Sequence, residues 1–98
     1  MKITQNAIDF ILNLMKSNEL DPSKINFEIR KMFGKVGIGF NKDKMGKRHQ
    51  FGELSVVVDY DVDLEGVCIE FREVQGRKGL LFIDEKAIDP KSTVHQNS

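Results

Sequence analysis

Cysteine is almost missing from this chain, which carries a single thiol at Cys68. One thiol excludes an internal disulfide, and it excludes every zinc site that is built from paired cysteines. The flanking residues Val67 and Ile69 place Cys68 in a predicted strand. Free cysteine commonly behaves as a small buried hydrophobe, so we expect Cys68 to be a packing residue.

Net charge and long apolar runs are missing as well. The 98 residues contain 15 basic and 15 acidic side chains, so no global field draws DNA, RNA or an anionic membrane to the chain. No apolar run approaches the roughly 20 residues that a membrane helix needs. Near the N-terminus, Asn6, Asp9 and Asn13 interrupt any apolar signal core. We therefore expect a cytoplasmic protein that makes no membrane contact.

The length of the chain predicts one small domain. We expect this domain to cover residues 1–90, followed by a polar tail at residues 91–98 that has no apolar pattern and frays. A core of this size is small, and dimerisation would bury more apolar surface for each chain. A homodimer is therefore an open alternative.

One amphipathic helix is predicted near the N-terminus. Thr4 can cap a helix that begins at Gln5 and ends near Ser17–Asn18. Its apolar side chains recur at helical spacing: Ile8, Ile11, Leu12 and Met15. The sequence Asp21-Pro22-Ser23 then predicts a turn, because proline restricts φ and the aspartate can accept a bond from the backbone ahead of it.

Alternating apolar residues predict about five short strands after the helix. The first two, at residues 25–30 and 36–40, flank Gly34 and form a hairpin, the first of them half-buried. A polar loop is expected at residues 41–50 and an acidic turn at 61–65. The remaining strands cover residues 54–59, 67–71 and 80–83, the last after a turn at 75–79. The single helix must bury its stripe on a sheet face, so the predicted fold class is α+β, with the helix packed on a mixed sheet.

The order of these motifs resembles the HesB-like family of A-type iron–sulfur carriers. The matching segments are, in order, 3–7 (Ile-Thr-x-x-Ala), 27–30, the glycine loop 34–40, 57–59, 66–71, 79–82 and 89–90. The resemblance covers nearly the whole chain and implies a HesB-like domain of mixed sheets with helices packed against them.

The ligand cysteines of that family are replaced in this chain. The resemblance implies one cysteine in the glycine loop, where this chain has Lys35, and a Cys-Gly-Cys near the C-terminus, where it has none. Iron–sulfur sites need thiolate ligands, so no ligand role carries over and we expect no cofactor. The resemblance then implies an interaction or regulatory protein that contacts the iron–sulfur assembly machinery. No nucleophile and base arrangement indicates an enzyme.

Three other sites are left open by the residues. Cys68 could bind iron or an iron–sulfur cluster if two copies met across a dimer. Lys35 between Gly34 and Gly37 could form a small-anion site from a point charge and backbone N–H groups. A basic loop could touch phosphate, although its few aromatic neighbours argue against a nucleic-acid platform. Its members are Lys42, Lys44, Lys47 and Arg48.

Overall fold

The computed structural model describes residues 1–43 and 45–85. The chain forms two compact units, one made of Met1–Ala7 with Leu64–Ser98 and the other of Ile8–Asp63. The predicted tail at residues 91–98, and the predicted domain boundary at residue 90, lie outside the described residues.

One helix and seven strands make up the described part of the chain. In chain order they are β1 (Lys2–Ile3), α1 (Gln5–Ser17), β2 (Asn26–Met32), β3 (Lys35–Asn41), β4 (Lys47–Phe51), β5 (Leu54–Val58), β6 (Val67–Val74) and β7 (Arg77–Asp84). Both sheets contain one parallel and at least one antiparallel pairing. The α+β class with mixed sheets is therefore confirmed. Among the described residues, no helix is long and apolar enough to cross a membrane.

Helix α1 has the bounds and the cap that its sequence predicts. The backbone N–H of Ala7 donates to Thr4 Oγ1 at 3.3 Å, which satisfies one amide that the first turn leaves without an intrahelical partner. Ala7, Ile11 and Met15 are fully buried. Their spacing of four residues places them on one face of the helix.

The unit of Ile8–Asp63 contains a four-stranded sheet in the order β3-β2-β5-β4. The two central strands, β2 and β5, run parallel, and each pairs antiparallel with an edge strand. All five residues of β5 are buried, so both faces of this strand are covered, as its run of apolar residues suggests. The largest buried side chains of the sheet are Phe27, Ile29, Leu54, Val56 and Val57.

The other unit contains a three-stranded sheet in the order β1-β6-β7. β1 adds in parallel to β6, and the N–H of Thr4 extends this pairing by donating to the carbonyl of Ile69 at 3.0 Å. β6 and β7 form a long antiparallel hairpin around Gln75 and Gly76. Val67 and Ile69 supply its buried apolar side chains.

Several strand predictions were wrong. Residues 41–50 are not one polar loop, because Lys47–Phe51 forms β4 and pairs with β5. The two-residue β1 was missed, and the turn predicted at 75–79 is shorter because β7 begins at Arg77. The alternation in β2 is also less clear than predicted, since Asn26 and Glu28 are buried as well as their apolar neighbours. A central strand has no solvent face at these positions, whatever its polarity.

The predicted turn at Asp21 is present. Asp21 Oδ1 accepts a bond from the backbone N–H of Ser23 at 2.9 Å and from the Ser23 hydroxyl at 2.8 Å. These bonds, the backbone one most strongly, lower the pKa of the Asp21 carboxyl below its usual value. They favour its charged form.

Replacing the Ser23 hydroxyl should raise the pKa of Asp21 only part of the way to its usual value. In Ser23→Ala the stronger backbone bond remains and only the hydroxyl bond is lost. Because the folded pKa is the lower one, the turn's contribution to stability is present above the unfolded pKa and is lost as the pH falls through the folded pKa. NMR titration of the Asp21 carboxyl carbon measures this pKa in Ser23→Ala, and Ser17→Ala serves as the control. An unchanged or lower pKa in Ser23→Ala would contradict the expectation.

Glycine is required at position 46 and dispensable at position 39. Gly46 has φ +138°, and a Cβ there would collide with the carbonyl oxygen of Val58 in the central strand. A Cβ on Gly39 would meet no atom within 4 Å. We expect Gly46→Ala to lower the free energy of unfolding by about 1–3 kcal/mol or more through backbone strain. Gly39→Ala, the control, should leave it unchanged or raise it by up to about 1 kcal/mol.

Urea denaturation of Gly46→Ala and Gly39→Ala measures these two changes in the free energy of unfolding. Equal stability of the two proteins would show that the backbone at position 46 relaxes without cost, which contradicts the geometry.

Candidate functional site

The hairpin of β2 and β3 ends in a tight two-residue turn. Met32 pairs with Lys35 across the ladder, so Phe33 and Gly34 alone make the connection. Their φ angles are +51° and +76°. Two successive left-handed residues define the primed type of turn, which matches the twist of the strands and strongly favours asparagine or aspartate before glycine.

Phe33 is an unusual residue for the first position of this turn. A side chain with a Cβ in the left-handed region costs roughly 1–2 kcal/mol, and Phe33 lacks the short polar side chain that lets asparagine offset this cost. The ring gains nothing from burial in return, since Phe33 is 98% exposed. Neither the turn nor the core accounts for a phenylalanine here, so its exposed ring is the strongest indication of a contact surface.

Further apolar side chains extend this exposure along the hairpin. Met32, Val36 and Ile38 are 55%, 52% and 54% exposed. Val36 and Ile38 are two residues apart and lie on the same face of β3, which is an edge strand of its sheet. At the base of the hairpin, Phe27 and Phe40 pack with ring centroids 5.8 Å apart. Met32 pairs with Lys35, so its side chain lies on the opposite face of the hairpin from Val36 and Ile38. We call the exposed residues Phe33, Val36 and Ile38 the hairpin surface.

The charge around the hairpin surface has one sign. The segment 29–38 contains three basic residues and no acidic one, within a chain whose net charge is zero. Arg30 is paired with Glu28 at 3.1 Å. Among the described residues, Lys31 and Lys35 have no ion-pair partner within 4.0 Å. The hairpin therefore presents a local positive field beside exposed apolar groups.

The predicted anion loop is part of this hairpin. Gly34 lies in the turn, Lys35 is the exposed first residue of β3, and Gly37 is paired with Arg30 in the ladder. Residues 35–37 are in extended strand conformation, in which successive N–H groups point to alternate edges. Anion binding at this loop stays a prediction.

The structure does not gather the predicted basic loop into one patch. Lys44 lies outside the described residues, and Lys42 is exposed after the end of β3. Lys47 and Arg48 are adjacent in β4, so their side chains point to opposite faces of the sheet. Arg48 Nε donates to Ser55 Oγ at 3.2 Å.

Cys68 lies in the central strand of the three-stranded sheet. It is half-buried, between Lys2 of β1 and Ile83 of β7. Within the described residues, no group of three or more histidine, cysteine, aspartate or glutamate side chains could hold a metal ion. Lys35, at the position where the resemblance implies a ligand, offers an ammonium group and not the soft thiolate that iron–sulfur clusters take. A cluster does not fit this loop.

Phe33 was not recognised as a functional residue from the sequence. The available signal was its place before Gly34 between two strands, where asparagine or aspartate is the usual residue. Its exposure could be read only from the folded hairpin. Comparison of the chain with protein-family profiles and with curated proteins found no match in either case.

Phe33→Asn should make the protein more stable. Asparagine adopts the left-handed conformation more readily than phenylalanine, so the free energy of unfolding should rise by about 1 kcal/mol. Urea denaturation measures the change, and Tyr60→Asn, which replaces an aromatic residue that is 69% exposed, serves as the control. A destabilised Phe33→Asn protein would show that the ring contributes to the fold.

Proposed function

We propose that this chain is a non-enzymatic domain of the HesB-like type that docks a partner protein through the hairpin surface, as an interaction or regulatory component of iron–sulfur cluster assembly in the cytoplasm. The observation that carries the docking proposal is the strained, exposed phenylalanine at the tip of the hairpin.

The energetics of Phe33 favour a binding role. Full burial of a phenylalanine side chain gains roughly 1.5–3 kcal/mol, which is enough to offset backbone strain of roughly 1–2 kcal/mol in the turn. That gain is realised only when a partner covers the ring. An aromatic anchor flanked by smaller apolar contacts, here Val36 and Ile38, is the usual arrangement at the energetic centre of an interface.

The charge of the hairpin favours a different protein over a second copy of this chain. Two hairpins that met at their tips would bring the cations Arg30, Lys31 and Lys35 of both copies together. Like charges in contact oppose association, and charge complementarity selects partners and their orientation. The partner that fits is a protein with an apolar pocket for Phe33 and an acidic rim facing Lys31, which pairs with Val36 on the same face of the hairpin.

The link to iron–sulfur assembly is supported by the order of motifs along the chain. Two mixed sheets together with one N-terminal helix also suit the fold which that resemblance implies. Because Lys35 stands where a ligand cysteine is implied, the proposed role is contact with the assembly machinery and not transfer of a cluster.

Site-specific photo-crosslinking tests this proposal. A photoreactive phenylalanine analogue at position 33 should crosslink, in cells of the native host, to a cluster-assembly protein with an acidic surface. The same analogue at position 60 should not, although Tyr60 is also an exposed aromatic residue. With the captured partner purified, Phe33→Ala should weaken binding at least about tenfold, as truncation of a buried aromatic anchor does. Tyr60→Ala should change it by less than about twofold.

Two outcomes would overturn parts of the proposal. Equal crosslinking from positions 33 and 60 would remove the hairpin surface as the docking site. Crosslinking from position 33 to a partner unrelated to cluster assembly would support the hairpin surface as the docking site and would contradict the proposed role in iron–sulfur assembly.

A further inference from the structure

A second candidate site lies at the opposite edge of the four-stranded sheet. A polar cleft with a volume of about 480 Å³ opens between the Asp21 turn and the hairpin of β4 and β5. Pockets for small molecules commonly have volumes of about 300–1,000 Å³. The polar side chains that line the cleft are Asp21, Ser23, Arg48, Gln50, Glu53 and Ser55. All of them belong to the unit of Ile8–Asp63.

Arg48 is exposed at one wall of the cleft and is oriented by one hydrogen bond. Its Nε donates to the hydroxyl of Ser55 at 3.2 Å, and Ser55 belongs to the central strand β5 and is only 4% exposed. Among the described residues, the guanidinium has no carboxylate partner within 4.0 Å. One nitrogen is therefore used to orient the group, and the terminal nitrogens keep the paired geometry that binds a carboxylate.

Two carboxylates line the same cleft without pairing with Arg48. Asp21 is oriented by its two bonds from Ser23, which also lower its pKa, so it is charged at neutral pH. Glu53 forms the two-residue turn between β4 and β5 together with Gly52, and it is exposed. The cleft is thus lined by one cation, oriented by Ser55, and by two anions, and no ion pair among the described residues joins them.

We propose that this cleft binds a basic amino acid, a small molecule with one carboxylate and two ammonium groups. Arg48 takes the carboxylate, and Asp21 and Glu53 take the ammonium groups. The ratio of one cation to two anions in the lining matches the charges of this ligand class, and Gln50 and Ser23 supply neutral hydrogen-bonding groups beside them. The site is independent of the hairpin surface, which lies at the β3 edge of the sheet.

Amide NMR titrations with three matched compounds test the proposal. L-Lysine carries all three charges, L-norleucine lacks the side-chain ammonium, and cadaverine lacks the carboxylate. We expect saturable shifts with L-lysine at Ser23, Arg48, Gln50 and Ser55, and at least tenfold weaker binding of the other two compounds. Arg48→Gln and Glu53→Gln should each weaken L-lysine binding at least tenfold. Lys35→Gln, which removes one cation from the other edge of the sheet, should leave it unchanged.

The proposal fails if the three compounds bind equally, or if L-lysine binds Arg48→Gln as well as the parent protein. Glu53 lies in an exposed turn, so Glu53→Gln tests the site even where Arg48→Gln perturbs the fold. Loss of this site would leave the docking proposal at Phe33 intact, because the two experiments read different residues.

Discussion

The parallel pairing of β2 with β5 is the constraint on which the larger sheet depends. Phe27 pairs with Val56 and Ile29 with Val58, and the N–H of Asp59 extends the ladder by donating to the carbonyl of Ile29 at 2.9 Å. The side chains of Phe27, Ile29, Val56 and Val58 are almost completely buried. Because the two strands are far apart in the sequence, their pairing closes a long loop, and only apolar burial of this extent offsets the entropy of that closure.

The central pair also decides where the two candidate sites can lie. With β2 and β5 in the middle, β3 and β4 become the edges of the sheet. The β3 edge carries Phe33 and the exposed apolar residues beside it, in a positive local field. The β4 edge carries Arg48, oriented by the buried hydroxyl of Ser55. At each edge, the candidate binding groups are therefore side chains that do not belong to the buried core.

The accuracy of the sequence-based prediction varies from element to element, for physical reasons. Helix α1, its Thr4 cap and the Asp21 turn were predicted because local bonds, such as the 2.9 Å bond from Ser23 N–H to Asp21, specify them. The hairpin was predicted because Gly34 separates two alternating runs. β4 was missed, since Lys47-Arg48-His49-Gln50 carries no apolar alternation and is a strand only because β5 offers it a partner. β1 likewise exists only as an addition to β6.

The candidate sites likewise combine features that the local sequence predicts with features that depend on contacts between distant parts of the chain. The sequence by itself determined the fold class, the single capped helix and the hairpin around Gly34. Only the tertiary structure decided that Phe33 adopts φ +51° with its ring exposed, and that Arg48 shares a cleft with Asp21 and Glu53. These features depend on which strands lie at the edges of the sheet and on which turns come together. Pairing between strands that are far apart in the sequence decides both.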